Sequence, residues 1–424
     1  MSRDELERLS KDELIDLVLR LQRPEKTSRT SSKPPATDRK EKRENAKPGG
    51  AKPGHEGHSR TLSEEPDRVV DHRPEACPAC GAVLAADLPA ETAGVHEHVE
   101  LPVIKPVVEH HRRLSVRCPG CGRTVVAPAV QGTPFGPRLH AAATYLKTFQ
   151  ALSYERLQGT FAELFGLTIS QGGLMTMLRR AQGCFQAGRD AAVAALRRAT
   201  VVASDETGVR VEGATAYHWV FRCEEAVVHQ VAPTRAASVV HAMMAGHRPQ
   251  VWLSDRYSAQ QGHADAQQTC LAHLARDVAY AREASEDDVP WRLELWLGSV
   301  FDLARGITTF APSTVARKRR ALEGDLAAIL TAPTRCDLAR DLQGKFRRAC
   351  DQLLTFIAFP GAVDVTNNGC ERSLRPSVVQ RKVTNGYRSM WAAEGEADIR
   401  TVVDTARLGP GPPAFSTILK TLGA

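Results

Sequence analysis

Long apolar stretches are missing from this chain of 424 residues. The longest run without Asp, Glu, Lys or Arg is the 15 residues 164–178, and the next, 124–137, contains three prolines, whereas a membrane-spanning helix needs about 20 apolar residues. The first residues, M-S-R-D-E-L-E-R, carry charges where a signal peptide has its apolar core. We therefore expect a cytoplasmic protein without a membrane segment, built from roughly two to four domains.

The chain has only a small excess of one sign of charge, since its 56 basic and 49 acidic residues leave a net charge of +7. The excess is concentrated in residues 23–60, which contain eleven Lys and Arg against five acidic residues. Large apolar side chains are almost absent there, so burial cannot offset the entropy lost on ordering the segment. We predict a flexible basic linker, which either binds a polyanion or only keeps the chain soluble.

Cysteine is too sparse for a disulfide-rich scaffold, since ten cysteines are spread over the chain. Four of them form two similar turns, Cys77-Pro-Ala-Cys80-Gly and Cys118-Pro-Gly-Cys121-Gly. Such a turn directs two thiolates toward one point, and two turns supply the four sulfur ligands of a tetrahedral zinc site. The pattern predicts one structural zinc ion, with a redox pair or simple burial of the cysteines as alternatives.

The spacing of the two cysteine turns indicates an unusual zinc module. The 37 residues between them, 81–117, exceed the roughly 15–20 of a standard finger. Runs rich in β-forming residues lie at 95–108 and 114–117. We therefore expect a zinc-ribbon-like module with an inserted hairpin.

Helical spacing occurs first near the N-terminus. Two capping boxes, Ser2 with Glu5 and Ser10 with Glu13, lie within residues 2–22, and the second precedes an apolar stripe. Helices this short are not stable alone. We expect them to pack on the body of the protein or on a partner chain.

A longer helical region covers residues 131–198. Two runs with helical periodicity flank a Gly166-Leu167-Thr168 turn, and Ser170 is placed to cap the second run. Two helices around a glycine turn are typical of a helix-turn-helix DNA-binding domain, in which Arg179 and Arg180 would face phosphates. An ordinary helical hairpin has the same pattern, and both interpretations stay open.

Alternating apolar and polar residues indicate a group of strands after residue 199. The predicted strands and the one helix among them lie at 201–204, 209–212, 217–221, 227–231, 236–245 (helix) and 251–253. Asp205 follows the first strand and Asp255 follows the last. The helix allows a crossover connection that makes those two strands neighbours. We therefore expect the carboxylates of Asp205 and Asp255 to converge.

A third carboxylate is expected from Glu371, at the first turn of a helix predicted from T-N-N-G-C-E-R-S-L-R-P. Three hard oxygen ligands of this kind can hold two divalent ions, which activate the attacking oxygen and steady the leaving oxygen of a phosphodiester. Each acid also has a structural alternative. The aspartates can form turns at strand ends, and Glu371 can complete a capping box behind Asn368 or pair with Arg375.

These motifs together resemble those of the insertion-sequence 66 family of transposases, which belong to the Asp-Asp-Glu class and have a ribonuclease-H-like catalytic core. The resemblance covers nearly the whole chain. It rests on the paired cysteine turns and on segments in the same order, namely S-S-K-P-P, G-G-A-K-P-G-H-E-G-H, S-D-E-T-G-V-R-V, Y-H-W-V-F, L-S-D-R-Y-S-A, C-L-A-H-L-A-R-D, T-N-N-G-C-E-R-S-L-R-P and R-K-V-T-N-G-Y-R-S. Gln260, where an aromatic residue is expected, and Cys370, where a small one is common, depart from the pattern.

The resemblance implies that Asp205, Asp255 and Glu371 are catalytic ligands of two magnesium or manganese ions. It likewise implies that the four turn cysteines, Cys77, Cys80, Cys118 and Cys121, hold one zinc ion.

Further residues beside these motifs carry expectations of their own. Basic residues close behind Glu371 are expected to contact DNA, with a solvated basic face as the alternative; they are Arg372, Arg375, Arg381, Lys382 and Arg388. Cys270 and His273 match a Cys-x-x-His signature of several transposases. For this pair we favour a packing or orienting role over metal ligation.

The predicted fold class is multidomain α+β, with a zinc-ribbon-like module, a helical DNA-binding region and a ribonuclease-H-like α/β core that carries a helical insertion. One apolar face of that insertion is expected from Trp291, Leu295, Trp296 and Val300. In chain order we expect amphipathic helices (1–22), the basic linker (23–66), the zinc domain (67–130) and the helical region (131–198). These are followed by the first part of the core (199–284), the insertion (285–360), the second part with the glutamate helix (361–408) and a tail (409–424).

The function that this combination predicts is a DNA transposase. It would cleave the ends of its insertion sequence and join the 3′ ends to target DNA by two-metal phosphoryl transfer. The expected partners are terminal inverted repeats, target DNA, further copies of the chain on DNA and small accessory proteins, in the nucleoid of a bacterial cytoplasm. The alternatives are a zinc-dependent DNA-binding protein with a catalytically inactive core, and a nuclease that cuts without joining.

Overall fold

The computed structural model describes residues 8, 10–27, 29–31, 54–57, 60–129 and 131–423. They belong to two compact units, one within Met1–Asp38 and Pro106–Ala424 and the other within Arg39–Lys105. The capping box at Ser2 and most of the predicted linker, 23–66, lie outside the described residues. Within the described part of the chain, no helix is both long and apolar enough to cross a membrane.

The helix α1 (Lys11–Leu21) begins with the predicted capping box. The Ser10 hydroxyl accepts a hydrogen bond from the Glu13 backbone amide at 3.3 Å, and the Glu13 carboxylate accepts one from the Ser10 amide at 2.7 Å. These bonds satisfy amide groups that the start of a helix leaves free. The prediction for the second capping box is confirmed.

The described residues of the smaller unit include the first cysteine turn and have little regular secondary structure. A β-bridge joins Ala76 to Val83 around that turn, and residues 84–105 form no strand. The predicted β-run at 95–108, and with it the inserted hairpin, is therefore wrong. Pro102 and Pro106 interrupt the alternation there, because a proline cannot donate a hydrogen bond to a strand ladder.

The second cysteine turn connects two short strands of the larger unit. Strand β1 (Ser115–Arg117) pairs antiparallel with β2 (Thr124–Val126), with Arg117 opposite Thr124. The strand predicted at 114–117 is thus confirmed, and the turn that holds Cys118 and Cys121 is the loop of a small hairpin.

Three helices follow, α2 (Pro137–Thr148), α3 (Tyr154–Phe165) and α4 (Gln171–Leu196). Gly166 ends α3 with φ 63°, a conformation that favours glycine. The Ser170 hydroxyl caps α4 by accepting a hydrogen bond from the Gly173 amide at 3.1 Å. The predicted turn and cap are present, but α4 is 26 residues long and its second half packs into the core of the sheet.

A five-stranded sheet forms the centre of the larger unit. Its strands are β3 (Val201–Val211), β4 (Ala214–Arg222), β5 (Val227–Ala232), β6 (Val251–Ser254) and β7 (Ala266–Thr269), and α5 (Ala237–Met244) lies between β5 and β6 in the chain. The strand order is β5-β4-β3-β6-β7. Strand β4 is antiparallel to both of its neighbours, β5 and β3, while β6 and β7 continue parallel to β3.

Strand β3 differs from the prediction. The two runs at 201–204 and 209–212 form one strand of 11 residues, so Asp205 lies within a strand and not at its end. Residues 205–208 stay extended because they pair with β4, where Asp205 lies opposite Val220. A polar stretch is thus kept in the sheet by its neighbouring strand, a tertiary influence that local propensity does not contain.

Four helices follow β7: α6 (Leu271–Ala284), α7 (Asp288–Gly306), α8 (Pro312–Thr331) and α9 (Asp337–Arg348). The last three lie in the predicted insertion, and Trp296 and Val300 are buried in its core as expected. Trp291 and Leu295 are instead about half exposed, at 48% and 52%. The buried face of α7 is rotated from the predicted one and includes Leu293.

The chain ends with α10 (Asn368–Thr384), α11 (Met390–Ala406) and α12 (Ala414–Thr421). The predicted tail therefore contains a helix, and Ile418 of α12 is fully buried. Helices α10 and α11 cover one face of the sheet, while α5 and the second half of α4 cover the other. The row of side chains on β3 that includes Asp205 faces α10.

Two histidines form a buried polar chain beneath α11. His218 Nε2 lies 3.0 Å from His229 Nδ1, and His229 Nε2 lies 3.0 Å from Asp404 Oδ2. Both imidazoles are fully buried. Burial holds the pKa of His218 well below its ordinary value of 6.5, with the His229 and Arg400 charges acting in the same direction. His218 is therefore neutral in the folded protein.

Stability should fall as the pH drops below about 6.5, because the unfolded chain then binds a proton that folded His218 cannot bind. For this one group the slope is at most about 1.4 kcal/mol per pH unit. Urea unfolding between pH 7 and pH 5, followed by the fluorescence of buried Trp219 and Trp252, measures it. His218→Gln should flatten the slope while His98→Gln, at an exposed position, should not; equal slopes in all three proteins would contradict this prediction.

Candidate active site

Asp205 and Asp255 come from neighbouring parallel strands. The ladder between β3 and β6 runs from Val201 opposite Val251 to Ala203 opposite Leu253. Continuing this register by two residues brings Asp205 level with Asp255, and neighbouring strands are about 4.8 Å apart. The expected proximity of the two aspartates therefore follows from the pairing of the strands that carry them.

Glu371 lies in the first turn of α10, as expected from the sequence. Cys370 and Leu374 of this helix pack against Val220, the residue opposite Asp205 on β4. The Glu371 carboxylate is 4.0 Å from His273 Nε2 and 3.7 Å from Arg276 Nη2, both on α6. The Glu371 carboxylate thus lies beside α6. The N-cap residue of α10 is Asn367, and no side chain caps the helix, so the capping box considered for Glu371 is not formed.

The three acids share one electrostatic environment. The pKa of Asp205 is raised to about 8, first by burial, then by the charge of Glu206, and further by those of Asp255 and Glu371. Since like charges act at short range inside a protein, Glu371 is near enough to contribute. The ligand atoms of Cys270, His273 and Glu371 all lie within 4.8 Å of one another. The two aspartates are not part of that group, so the Glu371 side chain is directed toward α6.

The donor set fits a hard divalent cation. After burial, the charges of Glu206, Asp255 and Glu371 also raise the pKa of Asp205, and a bound cation would relieve this repulsion. Glu371 Oε1 is buried and has no hydrogen-bond partner among the residues described. Carboxylate oxygens are the ligands that magnesium and manganese prefer. Asp205, Asp255 and Glu371 are therefore suited to hold such ions.

A fourth carboxylate, Glu206, points to the opposite face of β3 and was not singled out from the sequence. Its side chain accepts hydrogen bonds from Arg235 Nε at 2.6 Å and from Gln260 Nε2 at 2.5 Å. The Arg235 guanidinium also stacks on Tyr257, 3.8 Å from the ring centre. This network ties the loop after Asp255 to β3 and explains the amide at position 260. In the sequence, the only sign of a role for Glu206 was its position next to Asp205.

The basic residues behind Glu371 divide into two groups. Four of them, Arg372, Arg375, Lys382 and Arg388, are exposed on and just after α10. Arg381 is half-buried, and its guanidinium donates hydrogen bonds to the Thr207 hydroxyl at 3.0 Å and to the Gly208 carbonyl. Its charge is thus directed to β3, and the other four are the ones that face solvent.

Each cysteine turn has the geometry of half a zinc site. The Gly81 amide donates to the Cys77 carbonyl and the Gly122 amide to the Cys118 carbonyl, both at 2.8 Å. Both glycines have φ near 70°, which their missing Cβ permits. Hydrogen bonds from the backbone amides of Ala79 and Cys80 lower the pKa of the Cys77 thiol. Those from the amides of Cys121 and Gly120 lower the pKa of the Cys118 thiol. Each turn therefore favours the thiolate that zinc requires.

Comparison with known families identifies the protein. A model described as "Transposase IS66 family" matches residues 132–395, more than half of the chain. A second, described as "zinc-finger binding domain of transposase IS66", matches residues 74–122. A search of curated proteins found no match. These matches define a transposase with a zinc-finger domain, for which DNA is a partner. The chain belongs to the IS66 family of transposases, as its motifs predicted.

Proposed function

We propose that this transposase cleaves the ends of its insertion sequence and joins the freed 3′ ends to target DNA. The observation that carries the proposal is the grouping of three carboxylates, distant in sequence, in one electrostatic environment where β6 ends beside the middle of β3. The strand order, with three antiparallel strands followed by two parallel ones, supports a ribonuclease-H-like core of the Asp-Asp-Glu class.

Asp205, Asp255 and Glu371 would hold two magnesium or manganese ions. When bound, these ions supply charge neutralisation at the scissile phosphodiester and lower the pKa of the attacking oxygen. In the first step a water oxygen attacks phosphorus, the bond to the 3′ oxygen of the element end breaks, and that oxygen takes up a proton. In the second step the new 3′-hydroxyl attacks a target phosphodiester and displaces a target 3′ oxygen.

The remaining residues of the chain would position DNA. We assign Arg372, Arg375, Lys382 and Arg388 to phosphate contacts because they are exposed on and just after the helix that carries Glu371. Arg381 instead keeps α10 on β3. The four turn cysteines would share one zinc ion, and the zinc domain, the basic linker and helices α2–α4 would recognise the terminal inverted repeats, in a homo-oligomer with accessory proteins of the element.

A strand-joining assay tests the proposed function. Purified protein and Mg²⁺ or Mn²⁺ are incubated with labelled element ends and a target plasmid. Joined products in the presence of the ion, and none in its absence, are expected. Cut ends without joined products would indicate a nuclease, and binding without cutting would indicate a DNA-binding protein with an inactive core.

A further inference from the structure

We propose that Asn367 is a positioning residue that sets Glu371 relative to Asp205, an inference that rests on the proposed function. Asn367 directly precedes α10 and is buried, with 2% of its surface exposed. Its hydrogen bonds connect the start of the helix carrying Glu371 to the strand carrying Asp205 and to the start of α6.

The side chain of Asn367 reaches β3 one residue before Asp205. Its Nδ2 donates a hydrogen bond to the Ser204 carbonyl at 2.8 Å, across 163 positions of sequence. The ladder between β3 and β6 ends one residue earlier, at the Ala203–Leu253 pair. The Ser204 carbonyl therefore lies where the two strands stop pairing, and the Asn367 amide serves as its donor.

The backbone of Asn367 makes the second connection. Its amide donates to the Cys270 thiol at 3.1 Å, and Cys270, fully buried, starts α6. Helix α6 carries His273 and Arg276, the residues that flank the Glu371 carboxylate. One residue thus holds β3, α6 and α10 together around Glu371, and it gives the Cys-x-x-His pair an orienting role.

The use of the Asn367 side chain indicates a tertiary rather than a local role. Asparagine at a helix start usually accepts a hydrogen bond from an amide of the first turn. Here the side chain makes no such cap, and Asn367 Oδ1 has no partner among the residues described. The capping contribution to helix stability is given up while the bond to Ser204 is made. This is the pattern expected of a residue that sets the place of a helix.

The proposal predicts a loss of ion binding and of joining without a loss of DNA binding. A displacement of about 1 Å in a catalytic group can lower a rate roughly 100-fold. For Asn367→Ala we expect a joining rate down by about that factor at saturating Mn²⁺. We also expect an apparent Mn²⁺ dissociation constant about tenfold higher, in the range found when groups supporting metal ligands are removed.

The experiment compares Asn367→Ala with Asn368→Ala in the full chain loaded with zinc. Asn368 is the same residue type at the next position and is exposed, so its loss should change neither quantity. Mn²⁺ binding is measured by titration calorimetry, the joining rate under single turnover, and the affinity for element ends without divalent ions. Tryptophan fluorescence shows whether Asn367→Ala folds. If it does not, Asn367→Asp is compared with Asn368→Ala instead, since aspartate keeps the shape of the side chain and removes the Nδ2 donor.

The outcomes separate this inference from the proposed function. Equal Mn²⁺ affinity and joining rate in the Asn367 and Asn368 variants would overturn the positioning role while leaving the transposase activity in place. A variant at 367 that loses DNA binding in step with joining would overturn it as well. If the wild-type chain neither binds Mn²⁺ nor joins ends, the proposed function itself fails.

Discussion

Asp205→Asn should reduce strand joining by at least roughly 10³-fold and leave the binding of element ends unchanged. The substitution keeps the shape of the side chain and removes one of three charges proposed to hold the metal ions. Loss of a preorganised electrostatic group in an active site typically costs 10²–10³-fold, and loss of a direct ion ligand should cost more. Single-turnover joining and a DNA-binding titration, both at fixed salt, measure the two effects. Asp255→Asn and Glu371→Gln should behave alike.

Asp205→Asn, although it lowers the joining rate, should not lower the stability of the folded protein near pH 8. The pKa of Asp205 is raised to about 8 by burial and by neighbouring carboxylates. Without divalent ions, its contribution to the free energy of unfolding therefore declines as the pH rises from about 4 to about 8, because the folded state binds more protons than the unfolded one. Asp205→Asn should remove this decline, so the inactive variant should be at least as stable as the wild type near pH 8.

Asp364→Asn is the matched control, since Asp364 is exposed and lies seven residues before Glu371. It should change neither joining nor stability. Joining by the Asp205 variant at a rate within tenfold of the wild type would remove Asp205 from the site.

Cys77→Ser and Cys118→Ser should each abolish zinc binding by the whole chain and reduce the affinity for element ends by at least roughly 100-fold. A turn with two cysteines supplies only half of a tetrahedral site, so the loss of one ligand from either turn should release a shared ion. Structural zinc contributes on the order of 10–16 kcal/mol to the folding of small modules, and the described residues 60–105 contain little other regular structure. Without zinc, this domain should unfold.

Metal content per chain, limited proteolysis at 54–105 and titration with element ends measure this result. Cys184→Ser and Cys350→Ser, at exposed positions outside the zinc domain, should keep one zinc ion per chain. Cys77→Ser protein that retains a full equivalent of zinc would show that the two turns do not share an ion. Mn²⁺ binding at the carboxylates should be unaffected, because the proposed ligands lie on β3, just after β6 and on α10.

Local patterns predicted many elements of this protein because their causes are local. The capping box at Ser10, the glycine that ends α3 and the cap at Ser170 depend on groups within a few residues of one another. Proline at 102 and 106 was an equally local signal against a strand, and it outweighed the β-forming residues around it. The long extent of β3 could not be predicted in this way, since the polar residues after Ser204 are held extended by β4.

The face of a helix also escaped local prediction where two faces are apolar. In α7, Trp291 and Leu295 have the same spacing as the buried residues, but α8 and α9 pack on the side that carries Leu293, Trp296 and Val300. Arg381 is a similar case, since its distance from Glu371 resembles that of its exposed neighbours. Only the position of β3 beneath α10 decided that its guanidinium binds the Gly208 carbonyl.

The sequence alone determined the family of this protein and the two cysteine turns, and it singled out the three candidate acids, since each rests on residue types within short motifs. The tertiary structure decided what surrounds those acids: the register that aligns Asp205 with Asp255, the α6 side chains beside Glu371, and the Asn367 bond to Ser204. These contacts join residues up to 163 positions apart. They exist because the sheet and its covering helices bury their apolar faces together, and no spacing along the chain records which polar groups that burial brings into contact.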